Sequence, residues 1–81
     1  MTLTRISCDK MKYDKQHDVL HIFLGSPINA FADEEFPGIY VSRDEDTNDI
    51  VELTVMDFKK KKKLLTKYFP QFLFDYCSCI F

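Results

Sequence analysis

The chain has 81 residues, 46% of them apolar and 15% aromatic, with 30% charged residues and a formal net charge of −2. This composition excludes a disordered chain, and a spanning helix is excluded because Lys67, Pro70 and Asp75 interrupt the C-terminal apolar stretch well short of the ~18 residues required. One domain of this length has a marginal core, so extra stability from self-association is expected.

The N-terminal stretch Met1 to Lys10 lacks the apolar segment of an export signal, which points to a cytoplasmic protein. Three cysteines in such a chain, Cys8, Cys77 and Cys79, read as reduced thiols rather than a disulfide framework. Cys77-Ser78-Cys79 offers two thiolates with no His close by, short of the four ligands a structural zinc takes, and Ser78 stands where a prenylation box needs its Cys. No metal or other cofactor is expected.

The charge is unevenly spread. Residues 1–57 carry five basic and twelve acidic side chains, a balance of −7, whereas residues 58–81 carry six lysines and one aspartate, a balance of +5. Such a division favours an oriented contact with a charged surface, a second copy included.

In chain order, Cys8 to Tyr13 reads as a short strand, Asp14 to Asp18 as a polar turn and Val19 to Leu24 as a second strand closed by Gly25-Ser26-Pro27. Leu20, Ile22 and Leu24 share one face of that strand and Val19, His21 and Phe23 the other, which predicts a central position. Ser26 to Glu35 alternates poorly and is expected to be a loop or irregular edge. A second hairpin follows, with a strand at Gly38 to Arg43, an acidic turn at Asp44 to Asp49 and a strand at Ile50 to Met56. Asp57 suits the N-cap of a helix in which Leu64, Leu65, Tyr68, Phe69, Phe72 and Leu73 form one apolar stripe. Pro70 falls inside that stripe and predicts a kink or two short helices. Five lysines near the helix start oppose its macrodipole, so the first turn should fray unless negative charge arrives from elsewhere.

The aromatic tail from Leu64 to Phe81 requires shelter. Burying Tyr68, Phe69, Phe72 and Phe74 is worth roughly 15–25 kcal/mol gross, an upper bound. The chain's own sheet, a second copy, another protein and a membrane surface are all candidate shelters, and the stripe Leu64, Leu65, Tyr68, Phe69, Phe72, Leu73 is the candidate oligomer interface.

Lys59, Lys60, Lys61, Lys62 and Lys63 are the candidate partner- or anion-binding residues. A solvated face is the plainest reading of such a run, followed by contact with an anionic protein surface. Nucleic acid and anionic lipid are weaker readings, since the acidic body would repel the former. Asp44 to Asp49 starts like a calcium loop, but Asp49 stands where the bend needs Gly and Val55 where a bidentate Glu belongs, so it reads as a hairpin turn. His17 and His21 are four apart, and at ~3.3 Å per residue along a strand they lie ~13 Å apart, too far to share an ion. No phosphate loop or nucleophile elbow is present, and the carboxylates fall in hydrated turns, so catalysis is not expected.

The two hairpins together resemble the small bacterial and phage family named domain of unknown function 2283. Tyr13, Asp14, Asp18, Leu20 and Ile22 match its Tyr-Asp turn and Asp-x-Leu-Tyr-Ile strand; Gly38, Ile39, Val41, Asp44, Ile50, Val51, Leu53, Val55 and Asp57 match its second half. The likeness spans about Met11 to Lys59, and His21, Glu52 and Thr54 replace the family's aromatic, Gly and Glu. It implies a compact β-rich domain without assigned catalytic residues. The position of some members beside small ribonuclease-like toxins implies an antitoxin-like inhibitor.

The resulting expectation is a single α+β domain: a four-stranded, mostly antiparallel sheet of two hairpins, with a C-terminal helical segment packed on the sheet or exchanged in an oligomer. The expected function is a small non-catalytic protein–protein interaction module acting as a homo-dimer or other homo-oligomer, with a toxin-like protein as candidate partner. Nucleic-acid or anionic-surface binding through the lysine run is the alternative, and a small metal-dependent hydrolase, motivated by the acidic turns, is the second alternative.

Overall fold

The computed structural model describes residues 4–26 and 28–76. Strand β1 (Thr4–Ile6) passes through a 3-10 turn (Cys8–Lys10) into β2 (Met11–Asp14), followed by β3 (Val19–Phe23), β4 (Ala30–Phe36), β5 (Ile39–Asp44), β6 (Ile50–Val55), helix α1 (Phe58–Tyr68) and β7 (Phe72–Phe74). The fold is α+β. Its main sheet has five strands in the order β2-β3-β6-β5-β4, every neighbouring pair antiparallel, and β1 and β7 form a separate parallel pair.

The fifth strand corrects the expected four. The segment read as a loop contains β4, an edge strand with five of its seven residues exposed. Its side chains show no apolar alternation because backbone hydrogen bonds to β5, rather than burial, hold it in place. Asp33, Glu34 and Glu35 along such an edge discourage pairing with another strand edge. A register shift between Glu34 and Phe36 turns Phe36 toward the helix, where it stacks on Tyr68 at 4.1 Å between ring centroids and meets Phe69 edge-on at 5.4 Å.

One face of the sheet builds the core. Leu20 and Ile22 from β3, Ile39 and Val41 from β5, and Leu53 and Val55 from β6 are fully buried together with Ile6, Phe58, Leu65 and Phe69. The described part of the tail therefore shelters on its own sheet. Phe69 leaves the helix with φ −126 and ψ 68, outside the α region that the following proline disfavours, and the chain re-emerges as β7 instead of a second helical turn. Phe72 and Leu73 accordingly leave the predicted stripe: in a strand they point to opposite sides, Phe72 half-buried and Leu73 half exposed. Phe72, Phe74 and Tyr76 continue an aromatic chain back to Phe58, with centroid separations of 6.0, 5.9 and 5.4 Å along the way.

The β1–β7 ribbon joins the two ends of the described chain: Ile6 sits beside Phe74 and its carbonyl accepts the Asp75 N–H at 2.9 Å. Cys8, expected as a reduced thiol, is disulfide-bonded. Sequence spacing does not show that the ends meet, and this meeting is what brings N- and C-terminal segments into range of each other. Cys77 and Cys79 lie outside the described residues.

The helix start differs from expectation in its cap. Asp57 precedes the helix with φ 51 and makes no side-chain capping bond. The carboxylate of Asp18, 41 residues away, accepts the Lys59 N–H at 3.3 and 3.2 Å, while the Asp18 carbonyl accepts the Phe58 N–H at 3.0 Å. Tyr13 Oη donates to the same carboxylate at 2.6 Å. The negative charge that the lysine-rich first turn needs thus comes from the first hairpin. Asp18→Ala should cost about 1–3 kcal/mol by leaving the Lys59 N–H and the Tyr13 hydroxyl without their acceptor, while the Asp18 carbonyl still takes the Phe58 N–H, and Leu65→Ala about 2–5 kcal/mol by opening a core cavity. Urea unfolding of both variants checks these values, and an unchanged midpoint for Asp18→Ala would mean that the cap contributes nothing.

Candidate functional site

Helix α1 has two sides of different chemistry. Its inner side runs Phe58, Lys61, Lys62, Leu65, Tyr68, Phe69, a spacing of three and four residues that keeps all six on one stripe. Two of the five consecutive lysines therefore face the body. Lys61 Nζ donates to the Met56 carbonyl at 2.7 Å and lies 4.0 Å from the Asp57 carboxylate, its stem lying over Gly38. Gly38 has φ +74, a left-handed backbone conformation that favours glycine, and a Cβ there would displace only the mobile tip of Lys61. Lys62 Nζ stands 5.4 Å from the centre of the Tyr76 ring, within cation–π range.

The other three lysines of the run, Lys59, Lys60 and Lys63, are exposed, as is Lys67. At 3.6 residues per turn these four fall within about 100° of the helix circumference and form one basic stripe. Of the candidate interface residues, Leu65 and Phe69 are buried in the chain's own core, Tyr68 and Phe72 are half-buried, and Leu64 and Leu73 remain exposed. The structure thus brings together three of the five lysines with Lys67, and disperses the apolar stripe.

Acidic groups gather elsewhere. Asp33 and Glu34 lie exposed on β4, and Glu45, Asp46 and Asp49 are exposed in the β5–β6 turn. That turn is closed by its own chemistry: Asp44 Oδ1 accepts the Asp46 and Thr47 N–H groups at 2.8 and 3.0 Å. These amides hold the Asp44 carboxyl below its usual range, the Thr47 N–H first. Asp14, in the β2–β3 turn, is likewise lowered, chiefly by the His17 ring 2.8 Å away. Glu35 is lowered by the Arg43 guanidinium, which donates to both carboxylate oxygens at 2.7 and 3.0 Å. Among the described residues no three His, Cys, Asp or Glu side chains are gathered in a way that would hold a metal ion.

A second surface escaped the sequence analysis. The face of the main sheet away from α1 carries His21 and Phe23 stacked at 15° with centroids 6.2 Å apart, and His21 Nδ1 lies 3.4 Å from Thr54 Oγ1 and 3.9 Å from Glu52 Oε2. His21, Phe23 and Glu52, with Lys12, Tyr13, Asp14 and Lys15, line a shallow open depression at the β2 edge. The shared face of His21 and Phe23 was readable from β3, but which residues of β5 and β6 join them depends on strand order and register.

No helix among the described residues is long and apolar enough to cross a membrane. Comparisons of the chain with protein-family models, with curated proteins and with solved structures find no match.

Because Asp14, Glu35 and Asp44 are more acidic in the folded chain than when unfolded, their contribution to stability is full above the ordinary carboxylate range and is lost as pH falls through their lowered values. Tyr76 acts in the opposite direction: burial pushes its phenol up to about 12, so its contribution is present below the ordinary tyrosine value and is lost as pH rises toward 12. The urea midpoint should decline on acidification from about pH 5 to about pH 2 and again above about pH 10. Arg43→Gln should flatten the acid limb, and Tyr76→Phe the alkaline one, in a pH series of unfolding curves.

Proposed function

We propose that the protein is a small non-catalytic protein–protein interaction module that acts as a homo-oligomer and binds a protein partner through its charge-divided surface. One observation carries this reading. Lys59, Lys60, Lys63 and Lys67 project from a helix whose opposite side is fixed in the core, so four positive charges are presented on a rigid element without internal ion pairing to absorb them among the described residues. An element of this kind gives orientation and on-rate to an encounter with an acidic protein surface. The acidic side chains of β4 and the β5–β6 turn offer the reverse polarity on other elements, which suits a partner that carries charges of both signs.

The resemblance to the domain of unknown function 2283 family makes an antitoxin-like role the specific form of this proposal, with a small toxin-like protein as partner. Binding of nucleic acid or of an anionic membrane surface through the same lysines is the second reading. The exposed stripe supports both, and the absence of exposed aromatic rings beside it on α1 among the described residues favours the protein partner.

Replacing Lys59, Lys60, Lys63 and Lys67 together by Gln tests both. The substitutions leave the inward Lys61 and Lys62 in place, so the thermal midpoint should stay close to that of the parent chain. A partner recovered from the source cells and then purified should bind the parent chain and lose about tenfold or more in affinity with the variant, with a similar weakening on addition of salt. Equal affinity of both proteins for that partner would sink the reading. Salt-sensitive retention of duplex, single strand or anionic vesicles by the parent chain alone would transfer the function to the second one.

A further inference from the structure

We propose that the sheet face opposite α1 is the surface through which two copies of the chain pair, face to face, about a two-fold axis running along β6. This rests on the homo-oligomer part of the function proposed above and assigns it a surface. The argument comes from one row of residues that the strand register lines up across the sheet: Lys12 on β2, His21 on β3, Thr54 on β6, Tyr40 on β5 and Glu34 on β4. Positive charge stands at one end, negative charge at the other, and β6 is the middle of the five strands.

That arrangement is self-complementary in one orientation. A two-fold axis parallel to β6 exchanges β2 with β4 and β3 with β5, so Lys12 of each copy lies over Glu34 of the other, His21 over Tyr40, and Thr54 over itself. An axis perpendicular to the strands would instead set Lys12 over Lys12 and Glu34 over Glu34. Charge therefore selects the first geometry over the second.

The face has the composition such a contact needs. Phe23 is 44% exposed and Tyr40 40% exposed, two large aromatic side chains on one sheet surface that nothing in the chain covers among the described residues. Lys12 and Glu34 are exposed at the margins, and Glu34 is steadied by accepting the Gly38 N–H at 3.0 Å. Five strands about 4.8 Å apart and about five residues long give a footprint of roughly 20 by 17 Å. At roughly 340 Å² per copy this falls below standard specific interfaces and among weak, transient contacts, so the expected association is reversible and weak, with Kd roughly micromolar to millimolar. The same geometry contains one unfavourable element: Glu52, in the row next to Thr54, is also on β6 and faces its own symmetry mate close to the axis.

Sedimentation equilibrium of the full chain over a wide concentration range, with charge-inverting variants, tests the proposal. The parent chain should form a reversible dimer. Lys12→Glu and Glu34→Lys should each weaken it by about tenfold or more, since each reverses two symmetric contacts. The double variant should recover the parent affinity, and an equimolar mixture of the two single variants should form heterodimers as tight as the parent dimer, because both cross-pairs are then restored. Glu52→Gln should tighten the dimer. A parent chain that stays monomeric to about millimolar concentration overturns this proposal together with the homo-oligomer reading. A dimer that ignores the single inversions, or that neither the double variant nor the mixture restores, overturns the assigned surface and leaves self-association through another face standing.

Discussion

The first turn of α1 contains lysines and no acid, so positive side chains crowd the end of the helix where the backbone dipole is already positive, and the carboxylate of Asp18 answers both. Because Asp18 belongs to the β2–β3 turn and also receives the Tyr13 hydroxyl, the helix begins at one defined place above the sheet. Position and rotation follow from that start. Once Phe58 is seated against Tyr13 and Tyr76, Leu65 and Phe69 fall two and three turns further along the same stripe and close the core.

The rotation of α1 also determines what the protein shows to its surroundings. Lys61 and Lys62 share the inward stripe and reach out along their stems to a backbone carbonyl and an aromatic ring, so they act as packing residues with charged tips. The lysines that remain outside form a single row with Lys67. A run of identical residues in the sequence thus becomes two groups with different work, and the helical period alone makes the separation.

The two faces of the sheet divide the molecule in a similar way. One is closed by α1 and by the β1–β7 ribbon, whose strands pair although they come from opposite ends of the described chain. The other stays open and carries a row whose charges are opposite at its two margins. The proposed protein contact through a rigid helix and the proposed self-association through an open sheet face involve separate surfaces, so neither would block the other.

The sequence by itself determined the two hairpins, the helix start near residue 58 and the alternation along β3, β5 and β6, because each depends on local period or turn chemistry; it marked Pro70 as an interruption of the helix without showing that a strand follows. It did not reveal β4, since an edge strand held by backbone bonds needs no apolar alternation, nor β7, since a three-residue parallel strand exists only where a distant β1 meets it. The Asp18 cap and the charged row across the open face were decided by tertiary structure. Each joins residues far apart in the chain, and such contacts are specified by strand order and register, which no stretch of a few residues encodes.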